Sequence, residues 1–85
     1  MSTQKIVVRV EKTGDHKGHV FGVYATEVDR DGSLTIVERS GHATCSPDWY
    51  KNNTRPATIL EEQAFTEWFE PRYGACILVK RRSAR

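Results

Sequence analysis

Residues 58–74 read TILEEQAFTEWFEPRYG and predict the one clear helix of the chain. Thr58 and Glu61 have the spacing of a capping box, in which each side chain accepts a hydrogen bond from the other residue's backbone N–H. Proline and glycine commonly mark the point where a helix stops, so we expect Pro71 and Gly74 to end this one.

Apolar residues fall on one side of this predicted helix. They recur every four residues at Leu60, Ala64 and Trp68, and Phe65 and Phe69 lie beside them. Such a stripe indicates a helix that packs against a core. The acidic residues, which we expect at other positions around the helix or at its end, are Glu61, Glu62, Glu67 and Glu70.

Three predicted β-strands precede the helix, at residues 4–12, 19–29 and 34–39. β-Branched residues dominate the first strand and alternate with polar ones, which is typical of a strand. Residues 75–80 follow the helix and are nearly all apolar, which predicts a central strand with both faces at least partly covered. The pattern leaves open whether this last strand pairs with the first strand or the third.

The sequence Asp31-Gly32 predicts a hairpin between the second and third strands. We favour a loop in which Gly32 adopts the left-handed conformation, because it pairs Val28 with Leu34 and Thr26 with Ile36. This register places four apolar side chains on one face of the sheet: Tyr24, Val28, Leu34 and Ile36. The other face, which one helix cannot also cover, then holds Val7, Phe21, Val23 and Val37.

Residues 40–57 show no long period and predict an irregular loop, with one short helical turn capped by Ser46. The element order β-β-β-α-β predicts an α+β fold, with a small four-stranded, mostly antiparallel sheet and the helix packed on one face. We expect residues 1–85 to form a single domain whose residues 81–85 are a frayed basic tail. Either the loop or a partner must cover the second face.

Composition narrows the classes of function. The 85 residues carry a net charge of +2, which excludes an acidic mimic of DNA and a chain dominated by basic charge. No apolar run is long enough for a signal peptide or a membrane span, so we expect a cytoplasmic protein with reduced cysteines.

Histidine and cysteine residues raise two chemical alternatives. His16 and His19 are spaced like His42 and Cys45, and the four together suit a tetrahedral zinc site. His42 and Cys45 are also the types needed for a thiol nucleophile and its base. Neither pattern is specific, because zinc sites in small domains usually contain more cysteine and no third catalytic group is identifiable. We therefore predict a non-enzymatic protein without a cofactor.

The aromatic residues of the 40–57 segment suggest a protein-binding site. Trp, Tyr and Arg are the residue types that concentrate binding energy at interfaces. The candidate residues are Trp49, Tyr50, Lys51 and Arg55. The competing interpretation is that Trp49 and Tyr50 lie over the bare sheet face and complete the core.

The basic end of the chain supports a second interpretation, nucleic-acid binding. Residues 58–70 contain four acidic and no basic residues, whereas residues 71–85 contain five basic and no acidic residues. These basic residues, which could contact phosphates, are Arg72, Lys80, Arg81, Arg82 and Arg85.

From these features we expect a small protein that docks on another protein as an inhibitor or regulator, of the kind found among accessory proteins of phages and mobile elements. A nucleic-acid or nucleoprotein binder is the alternative. Self-association through an edge strand is also open, because edge strands carry unpaired backbone groups.

Overall fold

The computed structural model describes residues 4–28 and 30–80, which form one sheet and two helices. The elements are β1 (Gln4–Glu11), β2 (Val20–Val28), β3 (Leu34–Glu38), β4 (Gly41–Cys45), α1 (Pro47–Asn53), β5 (Thr54–Pro56), α2 (Ile59–Tyr73) and β6 (Cys76–Leu78). The first four strands form an antiparallel meander in the order β4-β3-β2-β1. The outer side of β1 pairs with β5 near one end and with β6 near the other. The fold is therefore α+β, with more strands than the predicted four.

The predicted ends of α2 are confirmed at Thr58 and Gly74. The Thr58 hydroxyl accepts the Glu61 N–H, and Glu61 accepts the Thr58 N–H in return. Gly74 caps the other end with φ +97°. Pro71, however, does not end the helix and lies inside its last turn, where it cannot donate a backbone hydrogen bond and its ring crowds the carbonyl group four residues earlier.

The buried stripe of α2 is centred on Phe65 and Phe69. Leu60, which the four-residue repeat placed at the centre of the stripe, is 76% exposed, and Ala64 is exposed as well. Trp68 is half-buried. The two phenylalanines are larger than Ala64 and bury more apolar surface, so they set the rotation of the helix.

The predicted irregular loop is largely regular. Only its short helix was foreseen: Ser46 caps α1 by accepting the Trp49 N–H, with Pro47 at the first helical position. The hairpin partner β4 and the short strand β5 were missed. The sequence of β4, GHATC, lacks apolar alternation, and its backbone pairing with β3 is what makes it a strand.

A β-bulge in β2 changes the predicted faces of the sheet. Val28 pairs with Leu34 as expected, but Ile36 pairs with Val23 and not with Thr26. The two steps from Leu34 to Ile36 on β3 therefore correspond to five steps from Val23 to Val28 on β2. Because five is odd, Leu34 and Ile36 lie on the face of Val23, opposite Tyr24.

The predicted central position of the last strand is also wrong. The strand β6 lies outside β1, to which it runs parallel, and Ile77 is 50% exposed. The apolar run 75–80 covers the edge of β1 and does not lie between two strands.

Two apolar clusters cover the two faces of the sheet. The α2 face holds Ile6, Val8, Tyr24, Val37, Phe65 and Phe69. The α1 face holds Val7, Phe21, Val23, Ala25, Leu34 and Ile36, against which Trp49 and Tyr50 pack. Val37 thus belongs to the α2 face, contrary to the predicted register. The chain itself supplies part of the cover of the second face.

Gly22 allows α2 to approach the sheet. A Cβ atom at this position would lie 2.5 Å from Cζ of Phe65 and 2.9 Å from Cγ2 of Ile6. Any side chain at position 22 would therefore push the helix away from β2.

We predict that Gly22→Ala lowers the free energy of unfolding by about 1–3 kcal/mol, because it overpacks a filled core. Urea unfolding followed by circular dichroism measures the loss. Phe65→Leu should lower the free energy of unfolding less in the Gly22→Ala background than in the wild type, because the leucine lacks the ring atoms that clash with the added methyl group. Unchanged stability of Gly22→Ala would contradict this packing.

Candidate functional site

An open groove of about 350 Å³ lies on the α1 face, between the start of α1 and the strands β3 and β4. Its floor and walls contain apolar, polar and acidic groups together. The lining residues are Glu11, Ile36, Glu38, Ala43, Thr44, Cys45, Ser46 and Trp49.

Trp49 forms the wall that α1 contributes to this groove. Its ring centroid lies 5.7 Å from that of Phe21, with the planes tilted by 39°. The residue is half-buried, so part of the indole packs on the sheet and part borders the groove. Both sequence-based interpretations of Trp49 are therefore compatible: one part completes the core while another is available to a partner.

The charged side chains that line the groove are both acidic. Oε1 of Glu38 lies within hydrogen-bond distance of Nε2 of His19, at 2.7 Å. His19 in turn stacks on Phe21. Glu11 forms no ion pair with any residue in the described part of the chain. The Glu11 carboxylate therefore favours a cationic group in the groove, beside the Glu38 carboxylate that contacts His19.

A set of polar contacts fixes α1 against the sheet. Arg9 of β1 lies 4.8 Å from the centroid of the Tyr50 ring and donates hydrogen bonds to the hydroxyl and the carbonyl oxygen of Thr54. The Thr54 hydroxyl donates to the carbonyl oxygen of Tyr50, and Thr54 is only 2% exposed. Tyr50 therefore helps to position α1 on the sheet, and α1 carries Trp49.

The other two predicted protein-binding residues lie away from the groove lining. Lys51 is exposed in the last turn of α1. Arg55 forms a two-pronged ion pair with Glu61, at 3.0 Å for each nitrogen–oxygen pair. This hydrogen bonding, with that of the Thr58 N–H, lowers the pKa of Glu61 from 4.5 to about 2. Arg55 therefore joins β5 to the start of α2.

The four candidate metal ligands are not brought together. His42 and Cys45 are three positions apart on β4, so they lie on opposite faces of the sheet. His42 contacts Tyr24 at 2.9 Å and packs edge-on against Tyr73, on the α2 face. His16 is near His19, with ring centroids 6.5 Å apart. No three acidic, histidine or cysteine side chains in the described ranges are grouped as metal ligands.

The two cysteines are likewise separated by the sheet. Cys45 packs against the α1 face cluster and Cys76 against the α2 face cluster, and neither forms a disulfide. Burial, with a smaller effect of Glu70, raises the pKa of the Cys76 thiol. A raised pKa lowers the thiolate fraction, so the surroundings of Cys76 do not activate it.

The basic residues in the described part of the alternative site are engaged and far apart. Arg72 donates to the carbonyl oxygen of Trp68 and lies over its ring. Lys80 pairs with Glu62 at 3.2 Å. Ten helical positions separate Glu62 from Arg72, a distance of about 15 Å along α2. Arg81, Arg82 and Arg85, with the predicted frayed tail, lie outside the described residues.

The sequence pointed to Trp49 but not to Glu11 and Glu38. These two glutamates are 27 positions apart and meet because the meander places the end of β1 near the end of β3. Their only local signal was a charged residue at the end of an apolar strand, which is common on protein surfaces.

We predict a pH-dependent effect of Glu61→Gln, which keeps an acceptor for the Thr58 N–H but removes the charge. The folded-state pKa of Glu61 lies below its ordinary value of 4.5, so the charge stabilises the fold above pH 4.5 and this contribution is lost as pH falls toward 2. In thermal unfolding, the Tm of Glu61→Gln should lie below that of the wild type near pH 7, and the difference in Tm should be smaller near pH 2.5.

Glu67→Gln is the matched control, because Glu67 is exposed on the same helix and has no ion pair within the described residues. It should show no comparable pH-dependent gap. A gap for Glu61→Gln that is equal at both pH values would contradict the ion pair with Arg55.

No helix in the described ranges is long and apolar enough to cross a membrane. Comparisons with models of protein families, with curated proteins and with solved structures find no match. Function is therefore inferred from the chemistry of the groove itself.

Proposed function

We propose that the protein is a non-enzymatic binding module and that the groove beside Trp49 docks a basic segment of another protein. The observation that carries this proposal is the pairing of a half-buried tryptophan with two carboxylates, Glu11 and Glu38, along one groove. A Lys or Arg side chain fits this chemistry, because its aliphatic stem can pack on the indole while its charge meets the carboxylates.

The placement of Trp49 favours binding. Its backbone N–H donates to the hydroxyl of Ser46 at the start of α1, and its indole packs on the ring of Phe21. Because the indole is already packed before a partner binds, binding loses less side-chain conformational entropy. Large, packed aromatic side chains of this kind are typical of interface hot spots.

The same geometry argues for binding rather than catalysis. The groove is open to solvent and His42 lies on the opposite face from Cys45, the thiol that borders it. A nucleophile and its base must lie within hydrogen-bond reach of each other, so these two residues do not form such a pair.

A displayed library of random peptides tests the proposal. We predict that the purified protein selects peptides rich in Lys and Arg. Glu11→Lys should lower the affinity for the best peptide at least about tenfold, because it replaces an attractive charge by a repulsive one. Binding should also weaken as salt is raised. Affinities are measured by fluorescence anisotropy with a synthetic peptide.

The control variant is Glu67→Lys, which makes the same charge change on the exposed side of α2. It should bind the peptide as the wild type does. Failure to select basic peptides, or equal weakening by Glu11→Lys and Glu67→Lys, would overturn the groove as the binding site.

A further inference from the structure

The strand β4 presents a free edge beside this groove. It is the last strand of the meander, and it pairs with β3 on one side only among the described strands. His42, Ala43 and Thr44 are exposed, and no Lys, Arg, Asp, Glu or Pro occurs between Gly41 and Cys45. Proteins usually protect an edge strand with charged residues or proline, because its unpaired N–H and C=O groups readily accept another strand.

The free edge and the groove are continuous. Ala43 and Cys45 belong to β4 and also line the groove. Gly41 stands opposite Glu38 in the strand pairing, and a Cβ atom at Gly41 would meet nothing within 4 Å. The space immediately around position 41 is therefore open.

We propose that the basic partner segment binds as an added β-strand on the outer edge of β4, an inference that rests on the proposed function. Backbone hydrogen bonds to β4 supply sequence-independent affinity, and alternate side chains of the added strand enter the groove. One of these, a Lys or Arg near Gly41, reaches toward Glu38, and an apolar side chain four residues away lies beside Cys45 and Trp49.

A second copy of this chain is a poorer occupant of the same edge. Its own β4 carries no Lys or Arg, so pairing of two β4 strands brings no basic side chain from β4 to neutralise Glu11 and Glu38. Charge complementarity therefore favours a basic strand from another protein.

Backbone methylation of the selected peptide tests this mode of binding. In an added strand, alternate residues direct their N–H groups toward β4 and the others direct them away. Two synthetic versions of the best library peptide are made, with N-methyl groups on the odd or on the even residues of its central segment. One version should lose at least about tenfold in affinity while the other changes much less, because only one set of N–H groups pairs with β4.

Amide hydrogen exchange gives a second measurement. Addition of the unmodified peptide should slow exchange at alternate residues of Gly41–Cys45, whose N–H groups become paired. Equal affinities of the two methylated peptides, together with unchanged exchange in β4, would overturn strand addition. A concentration-dependent dimer whose β4 amides are protected without peptide would also overturn it, in favour of self-association.

Failure of this inference is distinguishable from failure of the proposed function. If no basic peptide binds, the proposed function fails first and strand addition fails with it. If the peptide binds, depends on Glu11 and tolerates both methylation patterns, the groove is retained and only the added strand is rejected.

Discussion

Burial of both faces of β1 is the constraint on which the remaining architecture depends. Ile6, Val7 and Val8 are consecutive and buried, so neighbouring side chains point to opposite sides and both sides need an apolar cover. The chain packs the fifteen-residue α2 on one side and the seven-residue α1 on the other. Because α1 is short, its cover stops beside Trp49, and the groove lies where the cover stops. The groove is thus a by-product of covering a two-sided sheet with one long and one short helix.

Features determined by local chemistry were predictable from the sequence. The caps Ser46, Thr58 and Gly74 act within a few residues of themselves, and each lies where the pattern placed it. The faces of the sheet were not predictable, because the bulge in β2 reverses the side of Leu34 and Ile36 relative to Tyr24. A bulge is an irregularity in the pairing between two strands, and no residue of β2 predicts it from the local sequence.

The residues of the candidate site likewise include some that local sequence predicts and others that only the strand pairing explains. Trp49 stood out because tryptophan is a residue type that concentrates binding energy at interfaces. Glu11 and Glu38 become candidates only once the strand order is known, because that order brings both to one groove. Arg55 shows the opposite error: it has the residue type of an interface anchor, yet its guanidinium is held by Glu61. Residue type alone thus cannot distinguish a side chain that holds the fold from one that is available to a partner.

The parallel pairing of β6 with β1 joins Gln4 to Cys76, positions at nearly opposite ends of the sequence. During synthesis on the ribosome, β1 is therefore made before β5 and β6, the strands that pair with its outer edge. Pairings between distant positions form slowly because a long loop must close first. Until residues 54–56 and 76–78 have been made, β1 therefore has an unpaired outer edge, and unpaired strand edges are prone to misassembly.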